Sequence, residues 1–397
     1  MKSIDQINFN GKKVLIRVDY NVPMSDNQEV TDATRIARTV ETVNKITDDG
    51  GIAILMSHLG RPKGEVKDKF SLKHIISKCS EIFGKKIIFL GDVLDPATEA
   101  KVKELKSGDI ALLENLRFHS EEEKGDVDFA KAIARLGDVY VNDAFGTAHR
   151  EHASTATIAR FFKGNAYAGY LLYSEVMNLE KVLKHNVRPF TAIIGGSKVS
   201  TKINILKNLL TKVDNLIIAG GMSYTFLNAL GVKIGNSLFE PEMVPLAKEV
   251  IKKAHLKGIN LYFPVDNICS DHFSNDAKIF ITTDNDIPDG WQGMDIGPRT
   301  VTNFAHIIKH SNTILWNGPL GVFEMSHFEN GTKAIALTVA ATTISGAFSL
   351  IGGGDSIAAI NKYGLSNYVS YISTGGGAML EYLEGIELPG IKALEEN

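Results

Sequence analysis

The chain has 397 residues, 44% hydrophobic and 22% charged, with a formal net charge of −3; at ~150 residues per domain this suffices for two domains, each with its own core. So balanced a charge excludes a nucleic-acid or anionic-membrane binder that works through bulk electrostatics, and any basic site must be local. Only Cys79 and Cys269 are present, in no C-x-x-C pattern, which excludes a disulfide framework or thiolate metal site and points to a reducing, cytoplasmic compartment.

Met1 to Lys13 is polar from the start, so no secretory leader is expected. Beyond it, short apolar runs recur, each ended by Gly or polar residues and followed by helical periodicity, the pattern of a parallel α/β sheet. In the first half these are Val14–Val18, Ile52–Met56, Ile87–Leu90, Ile110–Leu113 and Val139–Val141. Tyr170 to His185 then places Leu172, Val176, Leu179 and Leu183 at helical spacing and stops before Pro189, predicting a connecting helix. The second half continues with Ala192–Ile194, Leu216–Ala219, Leu261–Phe263, Thr313–Trp316, Phe348–Ile351 and Val369–Ile372. The uncharged stretch Ala334 to Gly354 is long enough for a membrane span, but Thr342, Thr343, Ser345 and Gly346 interrupt it, so it reads as helix, turn and strand. The expectation is two doubly wound parallel-sheet domains, 1–169 and 189–376, with 170–188 between them.

Ligands of open α/β sheets bind beyond the carboxyl ends of the strands, and there the halves differ. The first edge is rich in Arg and His: Asp19 and Asn21, His58 and Arg61, Arg117 and Arg150, with Arg35 after Thr31. Each arginine alone reads as ordinary surface, but three after strands of one half point to a small, highly anionic acid held by guanidinium groups. Asp19 and Asn21 are candidates to accept from a ligand hydroxyl. The second edge is glycine: Gly195-Gly-Ser-Lys-Val-Ser-Thr-Lys202, Gly220-Gly221, Asn317-Gly-Pro-Leu-Gly321, Gly352-Gly-Gly-Asp-Ser356 and Ser373-Thr-Gly-Gly-Gly377. Such turns bring backbone N–H groups to phosphate, or merely punctuate strand–helix junctions. Lys198 and Lys202, one turn apart at the predicted start of a helix over Val199–Val213, oppose its dipole by ~0.3–1 kcal/mol each, which a nucleotide's phosphates would offset. Asp355, with Ser356 beside it, is either a Mg²⁺ ligand or a helix N-cap.

These segments, with Arg17-Val-Asp-Tyr-Asn-Val-Pro23, Ser57-His-Leu-Gly-Arg-Pro62, Leu113-Glu-Asn-Leu-Arg-Phe118, Asn142-Asp-Ala-Phe-Gly-Thr-Ala-His-Arg150 and Trp316-Asn-Gly-Pro-Leu-Gly-Val-Phe-Glu324, resemble the phosphoglycerate kinase family, in family order across nearly the whole chain. Tyr20 stands where Phe is common and Ser356 where Thr often sits. The resemblance implies two Rossmann-like lobes joined by a helix and hinge around a central cleft, with a tail at 377–397 returning to the first lobe. It implies a monomeric glycolytic enzyme moving a phosphoryl group between 1,3-bisphosphoglycerate and Mg-ADP, with 3-phosphoglycerate and Mg-ATP as products. Asp19, Asn21, Arg35, His58, Arg61, Arg117 and Arg150 would hold the phosphoglycerate. Lys198 and Lys202 would meet the nucleotide phosphates, Glu324 the ribose and Gly293 the adenine, with Asn317 and Pro319 in the same site. Gly353, Gly354, Asp355 and Ser356 would surround the phosphates and metal. Both nucleophiles are anionic at neutral pH, so no general base is needed; Arg35, Lys198, Lys202 and the amides around Gly376 would share the transferring charge.

Two rivals make different demands. A dinucleotide-dependent dehydrogenase wants G-x-G-x-x-G and an acidic ribose anchor, and neither that motif nor G-x-x-x-x-G-K-[ST] occurs. A two-lobed anion-binding protein without catalysis would have no use for the lysine-bearing, glycine-rich half.

Overall fold

The computed structural model describes residues 1–397. By chain contacts it divides into two units, Met1–Val176 with Glu387–Asn397, and Met177–Ile386.

The first unit is built on one parallel sheet of β1 (Lys13–Arg17), β2 (Ile52–Met56), β3 (Ile87–Gly91), β4 (Ile110–Leu113), β5 (Val139–Asn142) and β6 (Ala166–Ala168), in the order β3-β4-β2-β1-β5-β6. β2 and β4 are buried at every position, which is why they read as unbroken apolar runs rather than alternating ones: a parallel sheet is covered on both faces. Ala-Tyr-Ala of β6 is too short and too poor in β-branched residues to announce itself. Order reverses between β1 and β5, so the ligand crevice of this sheet lies where Asp19, Asn21 and the 143–150 loop emerge.

The second unit contains β7 (Phe190–Ile194), β8 (Asn215–Ile218), β9 (Asn260–Tyr262), β10 (Asn267–Ser270), β11 (Ile279–Ile281), β12 (Gln292–Ile296), β13 (Thr313–Asn317), β14 (Phe348–Gly352) and β15 (Tyr371–Ile372). Six form a parallel sheet ordered β15-β14-β13-β7-β8-β9, with its switch point between β7 and β13. The other three make a small antiparallel sheet, β11-β10-β12, which the sequence did not predict. Segments such as Gln-Gly-Met-Asp-Ile carry no strand periodicity, and pairing with neighbours decides their conformation.

The 334–354 stretch is helix Asn330–Ile344 followed by β14, and no helix is long and apolar enough to cross a membrane. Helix Tyr170–Leu183 runs through the boundary between the units, and Asp143 Oδ1 accepts from Leu172 N at 3.1 Å in its first turn. The segment expected to return as one tail is divided. Helix Gly377–Glu384 stays with the second unit, burying Ala378, Met379 and Leu383, and Asn208 Nδ2 donates to Leu383 O at 2.6 Å. Only Glu387–Asn397 joins the first, where Gly390 N donates to Ala148 O at 2.8 Å.

Candidate active site

β1 ends in a fully buried arginine. Arg17 Nε donates to Ser154 Oγ at 2.9 Å, Nη1 to Val18 O, and Nη2 lies 3.2 Å from His58 Nδ1. A guanidinium only donates, so Nδ1 accepts and the His58 proton sits on Nε2. Ser154 donates from Oγ and N to the two oxygens of the fully buried Glu122, at 2.6 and 3.0 Å. One carboxylate is thus linked through a serine to the buried cation.

Around this network the polar residues after β1 and β2 organise one another. Asp19 Oδ2 accepts from Arg35 Nη1 at 2.7 Å, and Oδ1 accepts from Asn21 N at 3.3 Å. Asn21 Oδ1 accepts from Gly60 N at 2.8 Å, while Arg117 Nη1 donates to Gly60 O at 3.0 Å. Arg35, on the short helix Thr34–Ala37, and Arg61 and Arg150, on their loops, are exposed. Burial first, then the charges of Arg17, Arg117 and Arg35, hold His58 well below its ordinary pKa. Burial, then Arg117, Arg17 and Arg150, push His152 down to about 3. Arg17, Arg35, Arg117 and Arg150 therefore converge on two neutral imidazoles. Arg61 stands on the loop that carries His58. Arg17, Glu122, His152 and Ser154 escaped the sequence reading, although a charged residue ending a core strand, as at Arg17, is a usable signal.

The ring resonances of His58 and His152 are therefore expected to stay flat as the pH falls through ~6.5, where an unperturbed imidazole titrates. A His58 that titrates at the ordinary value would show that the guanidinium groups do not enclose it. An unfolded chain binds these protons from pH ~6.5 downward and the folded one does not, so each ring removes about 1.4 kcal/mol of stability per pH unit below that value. Asp143, raised by burial to about 6, works in the opposite direction below that pH and cancels roughly one histidine.

In the second unit a pocket of about 260 Å³ opens where β7 and β13 end. Two turns meet there: Gly195 N donates to Asn317 O at 2.9 Å and Gly196 N to Pro319 O at 3.0 Å. Trp316 Nε1, fully buried, ties back to Gly318 O at 2.8 Å. A Cβ on Gly195 would stand 2.1 Å from Pro319 O, and Gly318 has φ +101, so side chains at either would pry the switch point open. Gly293, Met294, Tyr224, Leu238 and Phe273 give the pocket an apolar wall; Glu324 and Asp355 stand at its polar side. A Cβ on Gly293 would lie 1.9 Å from Tyr224 Oη, so only glycine keeps the wall at that depth. Tyr224 in helix Ser223–Ala229, Leu238 on a loop and Phe273 on the loop joining β10 to β11 escaped the sequence reading, because none of them belongs to the turns that end the predicted strands.

Several expected residues take other positions. Helix Ile203–Leu209 begins later than predicted, leaving Lys202 at its N-cap and Lys198 exposed in the preceding turn. Their opposition to the helix dipole is correspondingly weaker. Burial lowers Lys202 to about 8, against a raising effect from Asp355. Asn317 is fully buried, accepting from Lys202 Nζ and donating from Nδ2 to Gly352 O at 2.8 Å, so it orients the lysine and does not line the pocket. Ser356 is fully buried too, its Oγ accepting from Gly318 N at 2.6 Å. The N-cap of helix Gly354–Lys362 is Gly353, at φ +89, which leaves the exposed Asp355 carboxylate without a capping role. Gly376 is the exposed N-cap of helix Gly377–Glu384.

No group of three or more His, Cys, Asp or Glu could hold a metal alone. Asp355, one of the two carboxylates on the polar side of the pocket, suits Mg²⁺ bound chiefly by phosphate oxygens and water.

The model of the phosphoglycerate kinase family matches residues 4–386. A phosphoglycerate kinase of Porphyromonas gingivalis is 49% identical over 417 residues, covering 99% of this chain and 100% of its own. That of Moorella thermoacetica is 48% identical, with 99% of each chain covered. Among solved structures, the phosphoglycerate kinase from Coxiella burnetii superposes with a TM-score of 0.93 at 41% identity, over 99% of this chain and 98% of that one. The enzyme from Pyrococcus horikoshii OT3 gives 0.82 at 30% identity, over 100% and 98%. The chain belongs to the phosphoglycerate kinase family.

Proposed function

We propose that the first unit binds the phosphoglycerate among Arg35, Arg61, Arg117, Arg150 and His58, and the second binds the adenine nucleotide in the pocket between β7 and β13. The reaction is reversible phosphoryl transfer between 1,3-bisphosphoglycerate and Mg-ADP, giving 3-phosphoglycerate and Mg-ATP. The observation that carries the division of labour is the contrast between two switch points: convergent guanidinium groups at β1/β5, and an apolar, glycine-floored pocket with Lys202 and Asp355 at β7/β13.

Guanidinium groups hold the carboxylate and phosphate of the acid in fixed orientation, and Asp19 fixes Arg35 in turn. His58, neutral with its proton on Nε2, donates without adding charge. On the nucleotide side Gly293 leaves room for the base, Glu324 accepts from the ribose, and Lys198 and Lys202 meet the phosphates; contact with phosphate restores the full charge of Lys202. Asp355 would hold Mg²⁺, which when bound would supply neutralisation of the phosphate charge. Arg35, Lys198 and the amides at Gly376 and Gly377 receive the charge of the transferring group, for which no proton transfer is required.

Since the ligands lie on different units, in-line transfer requires a hinge motion that brings them together and excludes water. Small-angle scattering is expected to show compaction only with both ligands present; an unchanged radius of gyration would remove the hinge from the mechanism. The buried free cysteines Cys79 and Cys269 support a cytoplasmic location, which cell fractionation tests, and sedimentation velocity tests the monomer.

The direct assay couples purified protein, 3-phosphoglycerate, ATP and Mg²⁺ to glyceraldehyde-3-phosphate dehydrogenase and follows loss of NADH. Magnesium-dependent turnover that Lys198→Ala abolishes is the expected result. A folded protein that binds ATP without turnover would make anion binding the function.

A further inference from the structure

The turn between the two lysines is held from outside by one carboxylate. Glu240 Oε2 accepts from Val199 N at 2.5 Å and from Ser200 N at 3.2 Å, and Oε1 accepts from Ser200 Oγ at 2.5 Å. Val199 and Ser200 directly follow Lys198, and Lys202 N closes the same turn on Val199 O at 2.8 Å. Glu240 is itself fixed, its N donating to Thr225 Oγ1 at 3.2 Å.

The four residues Ser237 to Glu240 reach both ends of the pocket. Ser237 Oγ accepts from Gly293 N at 2.9 Å, Leu238 lines the wall, and Glu240 holds the lysine turn. Leu238 also closes on the glycine turn after β8, since a Cβ on Gly221 would stand 2.7 Å from its Cδ1.

We propose that Glu240 is a positioning residue for phosphoryl transfer, clamping the Lys198–Lys202 turn and setting its distance from the wall that receives the base. The proposal rests on the assignment of these lysines to the nucleotide phosphates. It differs in sign from a purely electrostatic role. A carboxylate beside two cations weakens their attraction for phosphate, so charge alone predicts that Glu240→Ala binds nucleotide more tightly and loses no rate. A clamp predicts that the lysines lose their register, and misplacement by about 1 Å costs ~10²-fold in rate.

The test measures kcat, KM and ADP affinity for Glu240→Ala, Glu240→Gln, Ser200→Ala and Lys198→Ala. Glu240→Ala is expected to lose roughly 10- to 100-fold in kcat while ADP affinity, dominated by the pocket wall, changes by less than about threefold. Glu240→Gln is expected to recover most of that loss, because its amide oxygen accepts from both N–H groups and its amide nitrogen donates to Ser200 Oγ. Unchanged kcat in Glu240→Ala, or an equal fall in the Gln and Ala variants, overturns the clamp. If Glu240→Ala does not fold, Ser200→Ala decides: it removes one of the three hydrogen bonds, and a kcat equal to that of the parent overturns the proposal. If Lys198→Ala itself keeps full kcat, the assignment of the lysines falls and the clamp with it.

Discussion

Replacing Arg35 by Ala is expected to lower kcat by about 10²-fold or more while leaving ADP affinity nearly intact. The guanidinium stands on the four-residue helix Thr34–Ala37, 42% exposed, and pairs through Nη1 with Asp19 Oδ2 at 2.7 Å. Its remaining donors are available to an anion, and Asp19 restricts the rotamers that present them. The transition state of phosphoryl transfer spreads charge over three equatorial oxygens, and a fixed planar cation is worth more there than in the ground state. Arg35→Lys should recover little, because an ammonium cannot span two oxygens in the same plane. Asp19→Asn should fall between the parent and Arg35→Ala, since it frees the guanidinium without removing it. Loss of ADP binding with kcat unchanged would contradict the assignment, as Arg35 belongs to the first unit and the pocket to the second.

What could be read from the sequence follows from physics that is local along the chain. Parallel strands covered on both faces are continuous apolar runs, so β2, β4 and β13 are visible as such. Arginine-bearing loops and glycine turns fall directly after those strands, and topology alone brings them to two sheet edges. What was not legible depends on partners distant in sequence. β10, β11 and β12 are strands only because they pair with one another, and with them went Phe273 and much of the pocket wall. Ser356 and Asn317 lie in the right motifs, yet their side chains bond inward to Gly318 and to Lys202 and Gly352. A motif gives residue type and order; which way a side chain turns is decided by packing. The same holds for Lys198 and Lys202, where Glu240, about 40 residues away in sequence, takes the amides that an isolated helix start would leave open.

Arg17→Ala is expected to destabilise the first unit by about 3–5 kcal/mol, because it breaks a buried charge network from one side. Three acceptors lose their donor: Ser154 Oγ, Val18 O and His58 Nδ1. Glu122, fully buried, keeps its two hydrogen bonds from Ser154 but loses the cation that Ser154 relays. Denaturant unfolding of the variant should show a lower midpoint with an unchanged slope, since the surface exposed on unfolding is the same. Arg17 is also the largest charge holding His58 neutral after burial itself, so the His58 resonance should begin to titrate at higher pH in the variant than in the parent. That second readout separates electrostatic coupling from simple loss of packing. A hydrophobic replacement of similar length, Arg17→Met, restores volume but not charge. If Arg17→Met matched the parent in stability, the network would serve the anion site alone, and its contribution would appear only as weaker 3-phosphoglycerate binding. If Arg17→Met were as unstable as Arg17→Ala, the uncompensated Glu122 carboxylate would be the cause, and Glu122→Gln in the same background should then recover part of the loss.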